Sequence, residues 1–465
     1  MGRSKASRVP VCSNCARLER ELAQLREELA ELRRQFNRNS GNSSVPPSAN
    51  PPWAPGSVKK KPTGRRPGGQ FGHEGHYRKL LPPEEVDEVV PHRPVRCRHC
   101  GSAFAASTTG RVVERHQVTE LPERPVKVTE HQAMVCLCGK CGLTTKQEIP
   151  RELTLSVLGP RLSAAVTFVS SRVHGSRRAT EELLEEVLGA PIALGTVIAR
   201  EKEMTAALNA PYRQAKELIQ QAPAKNVDET GWKRAGRFLW VAATPSLAVF
   251  HLDPCRNRDA MAQLLGAEVT GTICTDRFGV YQKIPLRQRA ICWAHLKRDF
   301  QQFVEAGGTT AVRFGRGGLN LCRDVHRLWN RLRDRHIGRP TLRRLLTPVR
   351  KKMRSLLGRG LRSTVSRAAG FCRDLLKLEP ALWTFARTEG IEPTNNHAER
   401  MLRPAVTWRK TSLGSHSIAG CRYVERMMTV VQTKRLAGQS AIDYLTEAVR
   451  ALRHGLPHPP LMLNA

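Results

Sequence analysis

Three acidic side chains, set far apart in the chain, are of the type that binds hard divalent cations and works on phosphate esters. Asp228 lies in Val227-Asp228-Glu229-Thr230-Gly231-Trp232, Asp276 in Ile273-Cys274-Thr275-Asp276-Arg277, and Glu399 in Thr394-Asn395-Asn396-His397-Ala398-Glu399-Arg400. The chain has 465 residues, with 76 Lys and Arg against 41 Asp and Glu, a formal net charge of +35. In such a chain a gathering of carboxylates makes poor sense as a solvated surface and good sense as a cation site. Carboxylate oxygens suit Mg2+ or Mn2+. Two such ions about 3.5–4 Å apart can activate an attacking oxygen on one side of phosphorus and steady the leaving oxygen on the other. Asp228 is expected to bridge both ions, with Asp276 and Glu399 holding one each. Glu229, Asp253 and Asp259 are neighbouring acids expected to be decoys.

Those acids need elements to bring them together. After Pro223 the apolar period changes from helical to strand-like. Runs around 226–228, 238–243 and 248–252 predict three successive antiparallel strands, 256–265 a helix, 270–275 a fourth strand ending at Asp276, and 289–292 a fifth. This order opens a ribonuclease-H-like α/β fold, in which the first and fourth strands are neighbours and Asp228 and Asp276 can share an ion. The third acid must arrive on a later helix. Pro393-Thr394-Asn395 supplies a helix start and sets Glu399 about one turn inside. Between Asp276 and Glu399, residues 301–377 hold 19 Lys and Arg but only 4 Asp and Glu, which reads as a basic helical insertion lying along DNA.

Charge and cysteine use point the same way. A pI near 10.6 is the footprint of a protein that lives on a polyanion. No apolar run approaches the length of a membrane span. The N-terminus lacks the apolar core and cleavage site of a signal peptide, so a bacterial cytoplasm is expected, with nucleoid association when DNA is bound. In that reducing setting the 13 cysteines read as thiols or metal ligands. Cys97-x-x-Cys100 and Cys138-x-x-Cys141, each beside a glycine, have the pairing of a four-thiolate structural zinc site. Their 37-residue separation is longer than the usual ribbon gap, and Cys136 is an alternative ligand.

The remaining segments read as a multidomain chain. Residues 1–38 carry Leu18, Leu22, Leu25, Leu29, Leu32 and Phe36 at alternating spacings of four and three, a coiled-coil seam, with Glu21 and Glu28 placed to meet Arg26 and Arg33 of a second copy. Cys12-x-x-Cys15 precedes it. Residues 39–80 read as a flexible basic linker, with Lys59-Lys60-Lys61 and Arg65-Arg66 available to phosphates. Residues 81–150 form the zinc ribbon. Residues 151–210 read as a helix-turn-helix: one helix with Leu162, Val166 and Val169 on a face, a second with Leu183, Leu184 and Val187, a break at Gly189-Ala190-Pro191, and a third from 194 to 204. Residues 211–440 form the catalytic domain, with the insertion at about 301–390, and 441–465 a C-terminal tail.

Taken together, several motifs resemble the insertion-sequence 66 family of transposases over almost the whole length. They are Asn39-Ser40-Gly41-Asn42-Ser43-Ser44 with the prolines that follow, Arg66 to His76, the two cysteine pairs, Val227 to Trp232, Cys292-Trp293-Ala294-His295-Leu296-Lys297-Arg298, and Thr394 to Arg400. The resemblance implies a DDE-type enzyme that recognises double-stranded DNA at its element's terminal inverted repeats, frees 3′-hydroxyls and joins them to target DNA. It implies Asp228, Asp276 and Glu399 as the catalytic triad with two Mg2+ or Mn2+, one Zn2+ elsewhere, self-association, and for some members small accessory proteins. By the same resemblance His295 sits near the scissile DNA, while Arg400, Arg403, Arg409 and Lys410 contact phosphates. The competing reading is a zinc-ribbon and helix-turn-helix regulator that binds the repeats without chemistry.

Overall fold

The computed structural model describes residues 13–40, 42–45, 50, 80–108, 110–122, 125–232, 236–363, 365–411 and 415–462. Cys12, the Lys59-Lys60-Lys61 run and Arg65-Arg66 lie outside them. Residues 56–128 form one unit, and 1–55 with 129–465 another; each is described by itself.

In the larger unit the leucine seam forms helix α1 (Ser13–Phe36), its Leu18, Leu22, Leu25, Leu29 and Leu32 all exposed. Two three-residue strands, β1 (Val135–Leu137) and β2 (Thr144–Lys146), pair antiparallel and are exposed throughout. A single turn, α2 (Arg151–Thr154), leads to α3 (Pro160–Ser171), α4 (Arg177–Leu188) and α5 (Leu194–Ala207). Local chemistry sets these bounds. Pro160 opens α3 where its missing N–H costs nothing. The Ser176 hydroxyl accepts from Ala179 N at the start of α4, and Gly189, at φ +60°, ends it. Leu158, Val166, Leu184 and Val197 pack together inside this three-helix unit.

Helix α6 (Asn209–Gln221) turns into the sheet. Lys225, buried, donates to Ile219 O and Gln220 O (2.8 and 2.7 Å), closing the last turn of α6 at the root of β3. Then come β3 (Ala224–Trp232), β4 (Arg237–Ala243), β5 (Ala248–Asp253), α7 (Arg258–Leu265), β6 (Thr272–Thr275) and β7 (Arg289–Ile291). The sheet order is β5-β4-β3-β6-β7: the first three antiparallel, β6 and β7 parallel to β3. The sequence reading placed these strands within a few residues. It stopped the first at Asp228, whereas β3 runs on to Trp232 with Asp228 at its middle. Entry to β6 depends on Gly271 at φ +66°, where a Cβ would lie 2.6 Å from the carbonyls of Ala222 and Pro223.

Beyond the sheet lie α8 (Trp293–Glu305), α9 (Thr309–Arg333), α10 (Arg339–Leu361), α11 (Ser366–Lys377), the single turn α12 (Glu379–Leu382), α13 (Asn396–Thr411), α14 (Ile418–Leu436) and α15 (Ala441–Arg453). Helices α8 to α12 share one apolar cluster with β6 and β7. A Cβ at Gly318 would run into the Phe300 ring, so glycine lets α9 close on α8. A second cluster joins β3 to β5 with α6, α7, α13, α14 and α15.

Helix α14 also covers the sheet edge. Glu425, Thr429 and Thr433, one turn apart, accept from the N–H groups of Leu252, Phe250 and Ala248 at 2.6, 3.0 and 3.2 Å, so β5 presents no open ladder. The expected C-terminal tail is instead largely helix: Arg453 of α15 donates to Glu203, Leu158 O and Ser163. Among the described residues no helix is long and apolar enough to cross a membrane. The whole is a mixed α/β architecture with a helical majority.

Candidate active site

β3 and β6 run parallel, their register ending at Asn226 opposite Cys274, so that Asp228 and Asp276 each lie two residues past that last pair. Asp276 follows β6 immediately and turns the chain, its Oδ1 accepting from Phe278 N (2.9 Å). Glu399 is in the first turn of α13. Burial pushes the Asp228 carboxyl well above its ordinary value, and the charges of Glu229, Glu399 and Asp276 push it further the same way. The charges of Asp276 and Glu399 are thus felt at Asp228, but among the described residues the three acids do not form a group of ligand atoms within 4.8 Å of one another; the group that does is Cys292, His295 and Glu399.

Glu229 and Glu399 divide by their partners. Glu229 has a side chain only 2% exposed. It accepts from Tyr281 OH (2.6 Å) and Arg256 Nε (3.0 Å), and the Arg256 guanidinium lies 3.7 Å over Phe278. Burial raises its carboxyl and the Tyr281 and Arg256 contacts oppose that. Glu399 is 27% exposed, and its buried Oε1 has no hydrogen-bond partner; His295 Nδ1 and Arg298 Nη2 each stand 3.7 Å away. Glu229 is tied up within the fold, and Glu399 is open to a ligand. Asp253 sits 3.6 Å from His251 Nε2 on β5, and Asp259 opens α7.

The fastening of this site was less visible in the sequence. Asn395, fully buried, donates through Nδ2 to Val227 O (2.7 Å) and accepts from Asn226 Nδ2 (2.9 Å). Its backbone N–H donates to Cys292 Sγ (3.1 Å), and its carbonyl accepts from Glu399 N (3.2 Å). Cys292 N in turn donates to Thr275 O (2.9 Å), and Trp293 N to Pro393 O (2.8 Å). One asparagine therefore links the residue before Asp228, the turn before His295 and the turn that carries Glu399. The sequence signal was a run of small polar residues ahead of a helix, read only as a helix start.

Cys292, His295 and Glu399 could together reach one metal ion by distance. Burial pushes the Cys292 thiol up to about 11, and its sulfur accepts from Asn395 N, so the residue also fastens the turn before His295. Burial and Arg298 lower the His295 ring, against the charges of Asp276, Glu399 and Asp299. Arg289, fully buried in β7 with no hydrogen-bond partner for its guanidinium, is lowered by burial and held up by Asp276.

The expected phosphate contacts divide too. Arg400, Arg403 and Lys410 are exposed on α13. Arg409 turns inward to Thr230 Oγ1 (3.0 Å) and Gly231 O, so it braces β3. In α5, Arg200 binds Ser156 and Glu203, and Glu201 binds Arg177. The outward positions there carry Leu194, Gly195, Ala199, Lys202 and Ala206, a meagre set for reading bases.

Each cysteine pair makes the same turn. Gly101 N donates to Cys97 O (2.9 Å) and Cys97 N to Ser102 O (2.8 Å); Gly142 N donates to Cys138 O (2.9 Å) and Cys138 N to Leu143 O (2.8 Å). Gly101 and Gly142 take φ +74° and +69°. The Ser102 hydroxyl lowers the Cys100 thiol, and the N–H groups of Cys141 and Lys140 lower that of Cys138.

The chain is a helix-rich mixed α/β protein with a formal net charge of +35. The sequence pattern described as the transposase IS66 family matches residues 156–423, and the chain belongs to that family. A family of unknown function, DUF6444, matches residues 9–79. The uncharacterized protein y4qI of Sinorhizobium fredii (strain NBRC 101917 / NGR234) is 25% identical over 230 residues, 46% of this chain and 42% of that relative, so the chain spans about four-tenths of its length. No solved structure matches.

Proposed function

We propose that the chain is a DDE-type transposase on a ribonuclease-H-like core, in which Asp228, Asp276 and Glu399 hold two Mg2+ or Mn2+ ions for DNA strand cleavage and 3′-hydroxyl strand transfer. The observation that carries this reading is the crowding of acids on Asp228 with a partnerless buried oxygen on Glu399. Mutually repelling carboxylates in a chain of +35 are the residue set a hard divalent cation fits. When bound, such ions stabilise charge on the attacking and leaving oxygens. The protein's own residues do the positioning: Asn395 holds the three segments in register, and Glu229 fixes Arg256 and Tyr281 beside them. His295, next to Glu399, faces the position of the scissile strand. Arg400, Arg403 and Lys410 supply phosphate contacts along α13.

The partners follow from charge and exposure. Terminal-repeat and target DNA are the polyanions, and exposed Arg316, Arg323, Arg327, Arg343, Lys351 and Arg359 on α9 and α10 extend the basic surface. The exposed seam of α1 fits a second copy, since leucines about half exposed on an isolated helix gain by pairing. Zinc on Cys97, Cys100, Cys138 and Cys141 rests on the sequence spacing and on the turn each pair makes by itself. It is supported by burial: among the described residues none before Leu158 is buried, so the region lacks an apolar core of its own.

The test is nicking of a labelled duplex bearing the element's terminal repeat. Mg2+-dependent cleavage at the repeat boundary, lost in Asp228→Ala at matched DNA binding, is expected; tight binding with no cut by the wild type under any divalent ion would overturn the catalytic reading.

A further inference from the structure

The described residues just after α1 bond one another. Asn39 N donates to Asn42 Oδ1 (2.9 Å), Ser43 Oγ to Asn39 O (2.6 Å), and Asn42 Nδ2 to Asn37 O (2.8 Å). Ser40 and Asn50 bond each other twice, Ser40 N to Asn50 Oδ1 (2.7 Å) and Asn50 Nδ2 to Ser40 Oγ (2.9 Å). The outcome is a polar knot, and among the described residues it is fastened to Glu305. Ser44 N and Oγ donate to the two carboxylate oxygens of Glu305 (2.6 and 2.9 Å), and Arg38 Nη2 donates to Glu305 Oε2 (3.0 Å).

The receptor is chemically pointed. Glu305 is the last residue of α8, where the helix dipole disfavours a carboxylate. It is the only acid among residues 301–323. Three donors from the knot answer a charge that its own helix does not. A groove of about 740 Å³ opens at the attachment, its lining including Arg38, Asn42, Ser43 and Glu305 themselves. At its other end α8 begins at Trp293 and carries His295 beside Glu399.

We infer that residues 37–40, 42–44 and Asn50 form a docking clasp, with Glu305 as its receptor, that fixes α1 at the C-terminal end of α8, the helix whose other end carries His295 beside Glu399. A function is thereby assigned to part of the segment matched by a family of unknown function. Pairing of two chains through α1 then sets two active sites in a defined arrangement, a consequence that rests on the proposed self-association and strand transfer. The clasp itself rests on neither.

Amide hydrogen exchange on the full chain tests it. In the wild type the amides of residues 38–45 are protected; Glu305→Ala raises their exchange at least tenfold, and Glu305→Gln, which keeps an acceptor, raises it less, while β3 and β4 exchange as before. Unprotected exchange in the wild type, or no change in Glu305→Ala, overturns the clasp. Joining of paired repeat ends by Glu305→Ala should fall at least tenfold more than nicking of a single end; equal effects on both would overturn the positioning role. Light scattering separates the readings: a monomeric wild type with protected 38–45 would sink self-association and leave the clasp standing.

Discussion

Two regions of this chain are held together by different physics. Around Asp228 the backbone is fixed by apolar burial and by hydrogen bonds, four of them from Asn395, with Val227 beside Asp228 fully buried, while Glu399 Oε1 is left without a hydrogen-bond partner. Across residues 80–157 no described residue is buried, and Val112, Val113, Val118 and Val128 are all more than three-quarters exposed. The acids near Asp228 repel one another within a packed scaffold. The described residues around each cysteine pair make a turn with no buried neighbour in the sequence beside it. Under the proposed reading, divalent cations would add chemistry to the first, and zinc would supply to the second what apolar packing does not.

The strongest way to break that contrast is to remove one of the four cysteines proposed to hold zinc. Structural zinc, where present, is worth on the order of 10 kcal/mol to a small domain. Cys97→Ser is therefore expected to release about one zinc per chain, measured by elemental analysis, and to abolish exchange protection around residues 97–102 while β3 and β4 keep theirs. Equal zinc in mutant and wild type would mean that the region is not metal-held. Next in size, Asp276→Asn should lower nicking by roughly 10³-fold, since the several kcal/mol that bound cations contribute scale to that factor, with repeat binding unchanged in a gel-shift assay. Asn395→Ala sharpens the contrast from the side of the packed scaffold. Residues that orient metal ligands typically cost about 10–100-fold in activity or affinity, and unpairing buried groups costs about 1–3 kcal/mol, so a loss of both activity and melting temperature is expected.

The smallest effect is on pH dependence. The Asp228 carboxyl is raised by burial and by neighbouring acids, so its protonated form is the one the metal-free fold favours. That contribution is fully present below the ordinary carboxylate pKa and is lost as pH rises through the raised value. Metal-free protein should lose melting temperature over that interval, and Asp228→Asn should flatten the slope, by roughly 2–4 °C per kcal/mol relieved. An unchanged pH slope in the mutant would show that the acids do not repel as the packing implies.

Much of the site was legible because its signals are local. Short apolar runs marked β3 to β7, and the pairing of β3 with β6 was expected from the likeness of their order to a ribonuclease-H-like fold, whereas the place of β7 beside β6 was not. Glu399 announced itself by the helix start before it. What the sequence hid was pairing between distant segments. Nothing in Thr394-Asn395 says that Asn395 reaches Val227 and Cys292, and nothing in Arg409 says that it turns back to Thr230 rather than outward with Lys410. The stretch from Asn39 read as a linker from its composition, because small polar residues that bond one another look the same in sequence as those that bond water. The tail from 441 was misjudged for a related reason: Arg453 is a typical surface residue until Glu203 and Leu158 O are beside it.

The central claim is that Asp228, Asp276 and Glu399 share one cation site. Mn2+ binding by electron paramagnetic resonance tests it without reliance on DNA or turnover. Wild-type protein should take up Mn2+ in a saturable manner, and Glu399→Gln and Asp228→Asn should each weaken that binding at least tenfold while Glu229→Gln spares more of it. Equal Mn2+ binding by the wild type and both of those mutants would contradict a shared site.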